Sequence, residues 1–518
     1  MSWAEEYKTV EDIKKHMKAV EKVGIEPSNL RMFSLQVGDG KLKVRFTEPL
    51  DTVIDGQTIC SWKGCRVLYK EGEAPVDEND GILIANVETR GQYTGTDLII
   101  DNLQNDTEYF VRIFPYSDQN VFNRNMANCK SASPREYTLL GFRINKADSN
   151  PSTRVEYLEG ATDLTPASVN LSTGAFNYGS FGDFWFVTEN KPFMVKNDGT
   201  PDYELNPNDY TKKLDGTSSD VSNMSYAGNC MAKIPLVWMK QFEEGNYEYC
   251  YICDIQLDDD YKAYAHQRED GSIMDYIWLS CFEGCLNSSK VRSIKGQTPM
   301  VNQTGTNELT YAANNGVQWT TRTWSQRNLI NMLLILMSKS TDTQTAFGYG
   351  YYTGGTSSSP NYLTTGGASD KGQFYGKNSN RDYVKVFHIE NWWGDIWERI
   401  AGLLNVNGKI YTKMTKPYNT TGSGYNNTNL VPSGTSGGYI SEDKMTEHGL
   451  LPVKAAGSQT TYACDGLWFN NSQVDYAFVG GASYHGFLDG ALAVSLHDLV
   501  SVSYWSIGAA LSCEQPAS

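Results

Sequence analysis

The chain has 518 residues, and its 60 acidic and 44 basic side chains give a formal net charge of −16 at pH 7. This length allows two to four domains with large buried cores. The acidic balance argues against nucleic-acid binding, which needs a basic surface, and against attachment to an anionic membrane.

The hydrophobic segments of the chain are short. The longest strongly apolar stretch covers residues 329–337, which is too short to span a bilayer. The opening residues, MSWAEEYKTVEDIKK, contain no apolar core of a signal peptide. We therefore expect a soluble protein made in the cytoplasm, with no membrane insertion.

The N-terminal segment 1–27 predicts an amphipathic helix over residues 9–23. Its apolar side chains recur at spacings of three and four and fall on one stripe: Val10, Ile13, Met17 and Val20. A stripe of this kind is normally covered by another surface. That surface is either a neighbouring part of the same chain or a second subunit, and we assign segment 1–27 to an assembly contact.

Residues 28–138 predict a β-sandwich, because short alternating runs follow one another between turn-rich segments. The predicted strands are 42–49, 65–71, 81–88, 97–103 and 108–116.

One stretch of this region, LQNDTEYFVRI, is more specific. It places Tyr109 between apolar neighbours, as in a tyrosine corner whose ring is buried and whose hydroxyl bonds to nearby backbone. The region resembles the fibronectin type III domain, with Phe46 where that family usually has tryptophan. Such domains act as spacers, so we assign no site here.

From residue 139 the strand signals become sparse, and residues 139–227 are interpreted as a connecting region. One helix stands out over 324–338, where Thr323 and Gln326 form a capping box before a run that is apolar on nearly all sides. A helix of this kind belongs at the centre of a domain.

The sequence contains ten cysteines and six histidines, and neither set follows a catalytic or zinc-binding spacing. We predict buried free thiols for the pairs Cys250/Cys253 and Cys281/Cys285. A disulfide between Cys464 and Cys513 stays open. No EF-hand loop is present, so metal ligands are unknown, no cofactor is expected, and calcium binding is left open.

The most informative internal motif lies in 384–404. Residues 384–389 predict a buried strand, and residues 391–398, NWWGDIWE, a compact aromatic turn. The turn resembles the signature of formylglycine-generating enzymes and their relatives, which have an elaborated C-type lectin fold. The resemblance implies a lectin-like domain over 228–518, in which this motif is structural.

The terminal segment 478–513 alternates two kinds of position. Its glycines and several apolar residues form a regular frame, while the polar residues between them follow no catalytic spacing. Along ALAVSLHDL, Leu492, Val494 and Leu496 point to one face, and Ala493, Ser495 and His497 to the other. The apolar face predicts an anchor to the core, which leaves the polar face free to vary.

This pattern resembles the variable region of the target proteins of diversity-generating retroelements, the group of the major tropism determinant. In that group a C-type-lectin-like domain ends in a segment whose codons are diversified at adenines. The resemblance implies a phage tail receptor-binding protein, carried on the virion and homotrimeric. Its partners would be other tail proteins and a host cell-surface protein or glycan.

The fold class we expect is therefore α+β and all-β: a fibronectin type III sandwich followed by a large lectin-like domain. Tyrosine- and serine-rich surfaces suit adaptable binding. We assign ligand binding to the following side chains: Ser483, Tyr484, His485, Leu488, Asp489, Ser495, His497, Asp498, Ser501, Ser503, Tyr504 and Ser506.

Two other functions fit part of the sequence. A formylglycine-generating-type oxidase would share the aromatic turn, but it needs a pair of cysteines, for which only Cys464 and Cys513 stand near the terminal segment. A bacterial surface adhesin would carry a secretion signal or anchor, which the sequence does not show. We therefore predict a binding protein and not an enzyme.

Overall fold

The structure is a computed structural model and describes residues 24–54 and 56–517. The helix predicted at 9–23 lies outside the described residues. The chain divides into two compact units: one comprises residues up to Thr138 together with Ile255–Tyr261, and the other comprises Leu139–Asp254 together with the residues from Lys262 onward.

The first unit is built from β-strands. Its strands are β1 Met32–Gly38, β2 Lys41–Thr47, β3 Thr52–Ile54, β4 Gln57–Cys60, β5 Trp62–Glu71, β6 Ile82–Val87, β7 Leu98–Ile100, β8 Tyr109–Ser117 and β9 Cys129–Ala132, with a 3-10 turn at Met126–Asn128. One sheet has the order β1-β2-β7, another the order β6-β5-β8-β9, and β3 and β4 form a hairpin. All five strands predicted in this region are confirmed.

Alternation of apolar and polar residues explains the core of this unit. In β2, Leu42, Val44 and Phe46 are fully buried while Arg45 between them is exposed. Tyr109 is buried, and its hydroxyl accepts a hydrogen bond from the Gln104 backbone N–H at 3.2 Å. The predicted hydrogen bond from backbone to the Tyr109 hydroxyl is therefore present, and Phe46 is fully buried in the core.

The second unit combines large sheets with short helices. Its helices are α1 Trp185–Thr188, α2 Gly305–Ala313, α3 Trp324–Ser338 and α4 Thr343–Phe347, with 3-10 turns at Tyr264–His266 and Gly486–Leu488. The strands in its first half are β10 Leu139–Asn145, β11 Val155–Glu159, β12 Ser168–Val169, β13 Phe176–Asn177, β14 Lys191–Lys196, β15 Pro201–Asn206, β16 Asp209–Lys213, β17 Gly228–Pro235, β18 Trp238–Glu244, β19 Tyr247–Cys253, β20 Tyr276–Ser280, β21 Cys285–Asn287 and β22 Lys290–Arg292. Those in its second half are β23 Trp319–Thr321, β24 Lys385–Val386, β25 Ile389–Glu390, β26 Trp397–Val406, β27 Lys409–Thr412, β28 Asn426–Asn427, β29 Ser433–Gly434, β30 Gly438–Thr446, β31 Gly449–Ala455, β32 Gly466–Phe469, β33 Val474–Val479, β34 Val494–Leu496, β35 Ile507–Gly508 and β36 Leu511–Glu514.

Three larger sheets organise these strands. Their orders are β11-β10-β19-β18, then β16-β15-β14-β17-β20-β36-β23, and β28-β27-β26-β33-β34-β32-β30-β31-β29, with β35 parallel to β26. Residues 139–227 supply strands to the first two sheets. This stretch is therefore part of the same compact unit as the residues that follow it.

Helix α3 lies at the centre of the second unit. Every residue from Trp324 to Met337 is buried, and the helix packs in the main hydrophobic cluster. Thr323 accepts from the Gln326 backbone N–H, and the Gln326 side chain accepts in return, so the predicted capping box is confirmed. No helix within the described ranges is long and apolar enough to cross a membrane.

The buried segment before the aromatic turn is a hairpin and not the single strand expected. Strands β24 and β25 pair with each other, because Phe387 and His388 between them adopt positive φ angles of 49° and 65°. The segment is buried, as the sequence predicted. Nothing in the sequence indicates that the chain turns back here, because neither Phe387 nor His388 is a glycine, the residue that favours positive φ angles.

Candidate binding site

The terminal segment 478–513 belongs to two of the large sheets. Strand β34 lies between β33 and β32, and β36 lies between β20 and β23. Strand β35 adds a parallel pair to β26. The backbone of the segment is therefore fixed at several points, and the loops between these strands are held at both ends.

These loops border a cleft of about 260 Å³. The cleft is lined by Trp397, Trp468, Phe478, Tyr484, His485, Ser495, His497, Asp498, Val502, Tyr504 and Ile507. Six of the predicted side chains thus meet in one place: Tyr484, His485, Ser495, His497, Asp498 and Tyr504.

The floor of the cleft is a row of side chains on one face of a sheet. Ser495 lies opposite Trp468 on β32 and opposite Phe478 on β33. The Trp397 and Trp468 rings meet edge to face, with centroids 5.2 Å apart. The predicted alternation is confirmed for Leu492, Val494 and Leu496, which pack in the main core, and for Ser495 and His497, which line the cleft. It is wrong for Ala493, which is fully buried and does not line the cleft.

His485 holds the two tryptophans in place. Its Nε2 accepts a hydrogen bond from the Trp397 indole N–H at 3.0 Å, and its ring lies edge-on to Trp468 at 4.8 Å. Burial lowers the pKa of His485 to about 4. At neutral pH the imidazole is therefore uncharged, and the bond at Nε2 places its proton on Nδ1.

Two tyrosines form the rim of the cleft. Tyr484 is 41% exposed and Tyr504 48%. The Tyr484 hydroxyl lies 3.1 Å from the Ser506 hydroxyl, and its ring contacts Trp505 at a centroid distance of 5.1 Å. Tyr484 is therefore held in one orientation while much of its surface faces solvent.

The loop between β34 and β35 is attached to the domain by its own carbonyl groups. The Val502 carbonyl accepts from the Arg399 guanidinium at 2.8 Å, and the Val500 carbonyl accepts from the Gly305 N–H at the start of α2 at 2.8 Å. Arg399 is itself paired with the buried Glu308 at 3.1 Å. This loop is preorganised, which reduces the entropy lost when a ligand binds.

The expectation that all predicted side chains face outward is wrong for four of them. Ser483, Asp489, Ser495 and Ser506 are buried. Asp489 accepts from the Ala482 N–H at 3.0 Å and packs against Gly481, while the Ser483 N–H donates to the Asp395 carbonyl at 3.0 Å. Ser483 and Asp489 therefore belong to the frame, whereas Ser495 still lines the cleft floor.

The remaining predicted residues lie outside the cleft lining. Leu488 is half-buried, and Ser501 and Ser503 are exposed on the loop between β34 and β35. The sequence prediction missed the contribution of Trp468 and Phe478 to the cleft floor. It treated Trp397 as purely structural. Trp397 and Trp468 lie outside the terminal segment, so only the strand pairing brings them to its loops.

Charge in the cleft is of one sign. Among the described residues that line it, none is lysine or arginine, and Asp498 is the acidic member. The Asp498 carboxylate lies 3.8 Å from His497 Nδ1 at the rim. The cleft thus offers aromatic faces, a carboxylate and an uncharged imidazole.

Two buried carboxyl groups, Asp395 in the aromatic turn and Glu283 beside it, could suggest a metal site. Burial raises the pKa of Asp395 to about 7, and burial together with Asp395 raises that of Glu283 above its usual range. Asn391 donates to Glu283 at 3.1 Å. Within residues 24–54 and 56–517, no group of three His, Cys, Asp or Glu side chains is arranged to hold a metal ion.

All ten cysteines are free thiols, and all except Cys129 are buried. The prediction of buried free thiols at residues 250, 253, 281 and 285 is confirmed, and the disulfide between Cys464 and Cys513 does not form. Burial raises the pKa of both these thiols. They are therefore protonated at neutral pH, unlike reactive cysteines or metal ligands.

Comparison of the chain with known protein families and with curated proteins returns no match.

Proposed function

We propose that this protein is a phage tail receptor-binding protein that attaches to a host cell-surface protein or glycan through the cleft of its terminal segment. The observation that carries this proposal is the combination of a fixed backbone with exposed, chemically mixed side chains. Tyr484, His497, Asp498 and Tyr504 border one cleft, whereas the residues beneath them are buried. A surface of this kind favours binding over catalysis, since no reactive group is activated in it.

The domain assignment within this proposal is a fibronectin type III domain followed by a C-type-lectin-like domain. The sheet orders β1-β2-β7 and β6-β5-β8-β9 and the hydrogen bond at Tyr109 support the first assignment. The buried aromatic turn at 391–398 and the sheet-bound terminal segment support the second. The first unit would act as a spacer that presents the second.

The proposal includes the setting in which the protein works. We place it on the virion as a homotrimer in contact with other tail proteins, with segment 1–27 as the assembly contact. Several copies on one tail tip would convert weak single contacts into strong attachment. Analytical ultracentrifugation of the full chain tests the trimer, and a monomer at micromolar concentration would contradict it.

Cell binding tests the attachment surface. Fluorescently labelled full-length protein is incubated with a mixed bacterial community, and labelled cells are sorted and identified. The variant Tyr484→Ala/His497→Ala/Tyr504→Ala should lose binding to the cells that the wild type labels. His485 is kept, because it accepts from the Trp397 indole.

A matched control changes three exposed residues outside the cleft: Asp163→Asn, Leu214→Ala and Val317→Ala. This variant should bind as the wild type does, and both variants should melt within a few degrees of it. Equal binding by the wild type and the cleft variant would overturn the proposal.

The genome offers an independent test of diversification. We expect a near-copy of the DNA for residues 478–513 next to a reverse transcriptase gene, with differences at adenines. The structure adds where these differences should fall: in codons for exposed residues such as Tyr484, His497 and Tyr504, and not in those for the buried Ser483 and Asp489. Differences concentrated at the buried positions would contradict a display surface.

A further inference from the structure

The chemistry of the cleft narrows the choice of ligand. Its lining includes the aromatic side chains Trp397, Trp468, Tyr484 and Tyr504, of which Trp397 is only 4% exposed and the two rim tyrosines are 41% and 48% exposed, and its rim also carries the Asp498 carboxylate. His485 is uncharged at neutral pH because burial lowers its pKa to about 4. Among the described lining residues there is no lysine or arginine to attract an anion.

We infer that the cleft binds an arginine side chain of a receptor protein. The guanidinium would lie against the aromatic wall and donate to the Asp498 carboxylate at the rim. This inference rests on the proposed function, because it names the group that the attachment surface recognises.

Electrostatics favours a cation here. Aromatic faces carry partial negative charge and attract cations at short range. The side-chain partner of Asp498 is His497 Nδ1 at 3.8 Å, which is longer than a hydrogen bond, so the carboxylate can accept from a ligand. An anionic sugar or a phosphate would meet aromatic faces and a carboxylate, with no positive partner among the lining residues.

A positively charged group behind the cleft has a buried carboxyl group as its partner. The Arg399 guanidinium lies 4.9 Å from the ring of Phe478, which is part of the cleft floor. Arg399 is paired with Glu308 at 3.1 Å, and both side chains are 1% exposed. Arg399 therefore does not repel a cation in the cleft as an unpaired guanidinium would.

A guanidinium fits these walls better than an ammonium group. It is planar, less strongly hydrated than an ammonium, and able to stack on a ring while its edge donates to a carboxylate. The same unit contains this arrangement elsewhere: Arg143 lies 4.0 Å over the Tyr247 ring and donates to Glu156 at 2.6 Å. The cleft supplies the ring and the carboxylate of such a set, and the receptor would supply the guanidinium.

The size of the cleft agrees with a single side chain. Its volume of about 260 Å³ is smaller than the range of roughly 300–1,000 Å³ typical of pockets for drug-sized ligands. One arginine side chain inserted from a protein surface would therefore be an anchor of the kind that dominates the energy of protein interfaces.

Small probes test the inference with the full-length protein. Ligand-observed NMR titrations compare N-acetyl-arginine N-methylamide with the corresponding citrulline compound, which has nearly the same shape but no charge. We expect the arginine compound to bind at least about tenfold more tightly, equivalent to about 1.4 kcal/mol. The lysine compound should fall between them.

Variants test whether the preference for the arginine compound arises in the cleft. Asp498→Asn should reduce the affinity for the arginine compound by about tenfold and bring it close to that of the citrulline compound. The matched control Asp163→Asn removes an exposed carboxylate outside the cleft and should leave the affinity unchanged. Equal binding of the arginine and citrulline compounds, or saturation by methyl pyranosides in place of arginine, would overturn the inference.

Cell binding separates failure of this inference from failure of the proposed function. If Asp498→Asn lowers cell binding at least about tenfold while Asp163→Asn does not, the inference is supported. If Tyr484→Ala/His497→Ala/Tyr504→Ala abolishes cell binding but Asp498→Asn leaves it intact, attachment stands and the arginine ligand is wrong. If none of these variants changes cell binding, both proposals fail.

Discussion

Two aromatic clusters of the second unit differ in how their polar groups are satisfied. In the turn at 391–398, the Trp392 indole donates to Asn331 at 3.0 Å and the Trp393 indole to the Gly348 carbonyl at 3.1 Å. The guanidinium of Arg327 lies 4.3 Å from the Trp392 ring. Trp392 and Trp393 are therefore buried, with both indole N–H groups bonded within the domain.

The aromatic residues of the cleft are only partly hydrogen-bonded and buried within the domain. The Trp397 indole is bonded to His485, but Tyr484 and Tyr504 on the rim keep much of their surface in solvent. The comparison teaches that aromatic residues alone do not mark a binding site. The distinguishing feature is aromatic surface that the fold orients but does not cover, next to the Asp498 carboxylate, whose side-chain neighbour among the described residues is His497 at 3.8 Å.

The largest effect should come from breaking the buried cluster. Trp393→Ala removes a fully buried indole and leaves the Gly348 carbonyl without its donor. Truncation of a buried tryptophan costs about 3–5 kcal/mol of unfolding free energy, so we expect the second unit to unfold or to melt far below the wild type. Calorimetry measures this, with Tyr504→Ala as the control from the exposed cluster; similar melting of both variants would refute the contrast.

The buried carboxyl pair of the turn should make stability depend on pH. Burial raises the pKa of Asp395 to about 7, above its usual value near 4 in the unfolded chain. A raised pKa stabilises the protein at low pH, and this contribution is lost as pH rises from about 4 through about 7. We expect the unfolding free energy to fall by about 2 kcal/mol from this pair between pH 5 and pH 8.

The variant Glu283→Gln isolates the pair from other buried acids. It replaces the Glu283 carboxyl, whose own pKa is raised by burial and by Asp395, with an amide that does not titrate, so the pH dependence should become shallower. The exposed Glu269→Gln is the control and should follow the wild-type profile. Identical profiles for the wild type and Glu283→Gln, measured by thermal melting from pH 5 to pH 8, would show that Glu283 does not contribute to the pH dependence in this window.

A smaller loss of unfolding free energy should distinguish glycines in the frame of the terminal segment from glycines on its surface. Gly481 has φ +85°, and a Cβ added there would lie 1.8 Å from the Asp489 carboxylate oxygen. Gly481→Ala should therefore cost about 1–3 kcal/mol from backbone strain, with a further penalty from the clash. Gly486→Ala is matched, since its φ is +66° and no atom lies within 4 Å; chemical denaturation should show it to be the less harmful change.

The smallest predicted change in unfolding free energy concerns His485, which lines the cleft but also bonds to the Trp397 indole. His485→Ala leaves the Trp397 indole N–H without its acceptor, and this should cost about 1 kcal/mol or somewhat more. His497→Ala removes an exposed ring and should change stability by less than about 0.5 kcal/mol. Equal denaturation midpoints for the two variants would place His485 on the free surface with His497.

Much of the local structure was determined by the sequence. The strands of the first unit follow from alternation, as in Leu42, Val44 and Phe46, and helix α3 follows from its capping residues and its apolar run. The anchoring of Leu492, Val494 and Leu496 in the core was also predictable. These features depend on residues close together in the chain, whose spacing alone decides which face is apolar.

The cleft itself was decided by tertiary structure. Pairing of β32, β34 and β33 places Trp468, Ser495 and Phe478 in one row, and no spacing within the terminal segment contains that information. Burial of Ser483 and Asp489 likewise depends on contacts with distant backbone and on the tight approach at Gly481. Polarity indicates which side chains tolerate water, but only the packing of distant strands decides which of them reach it.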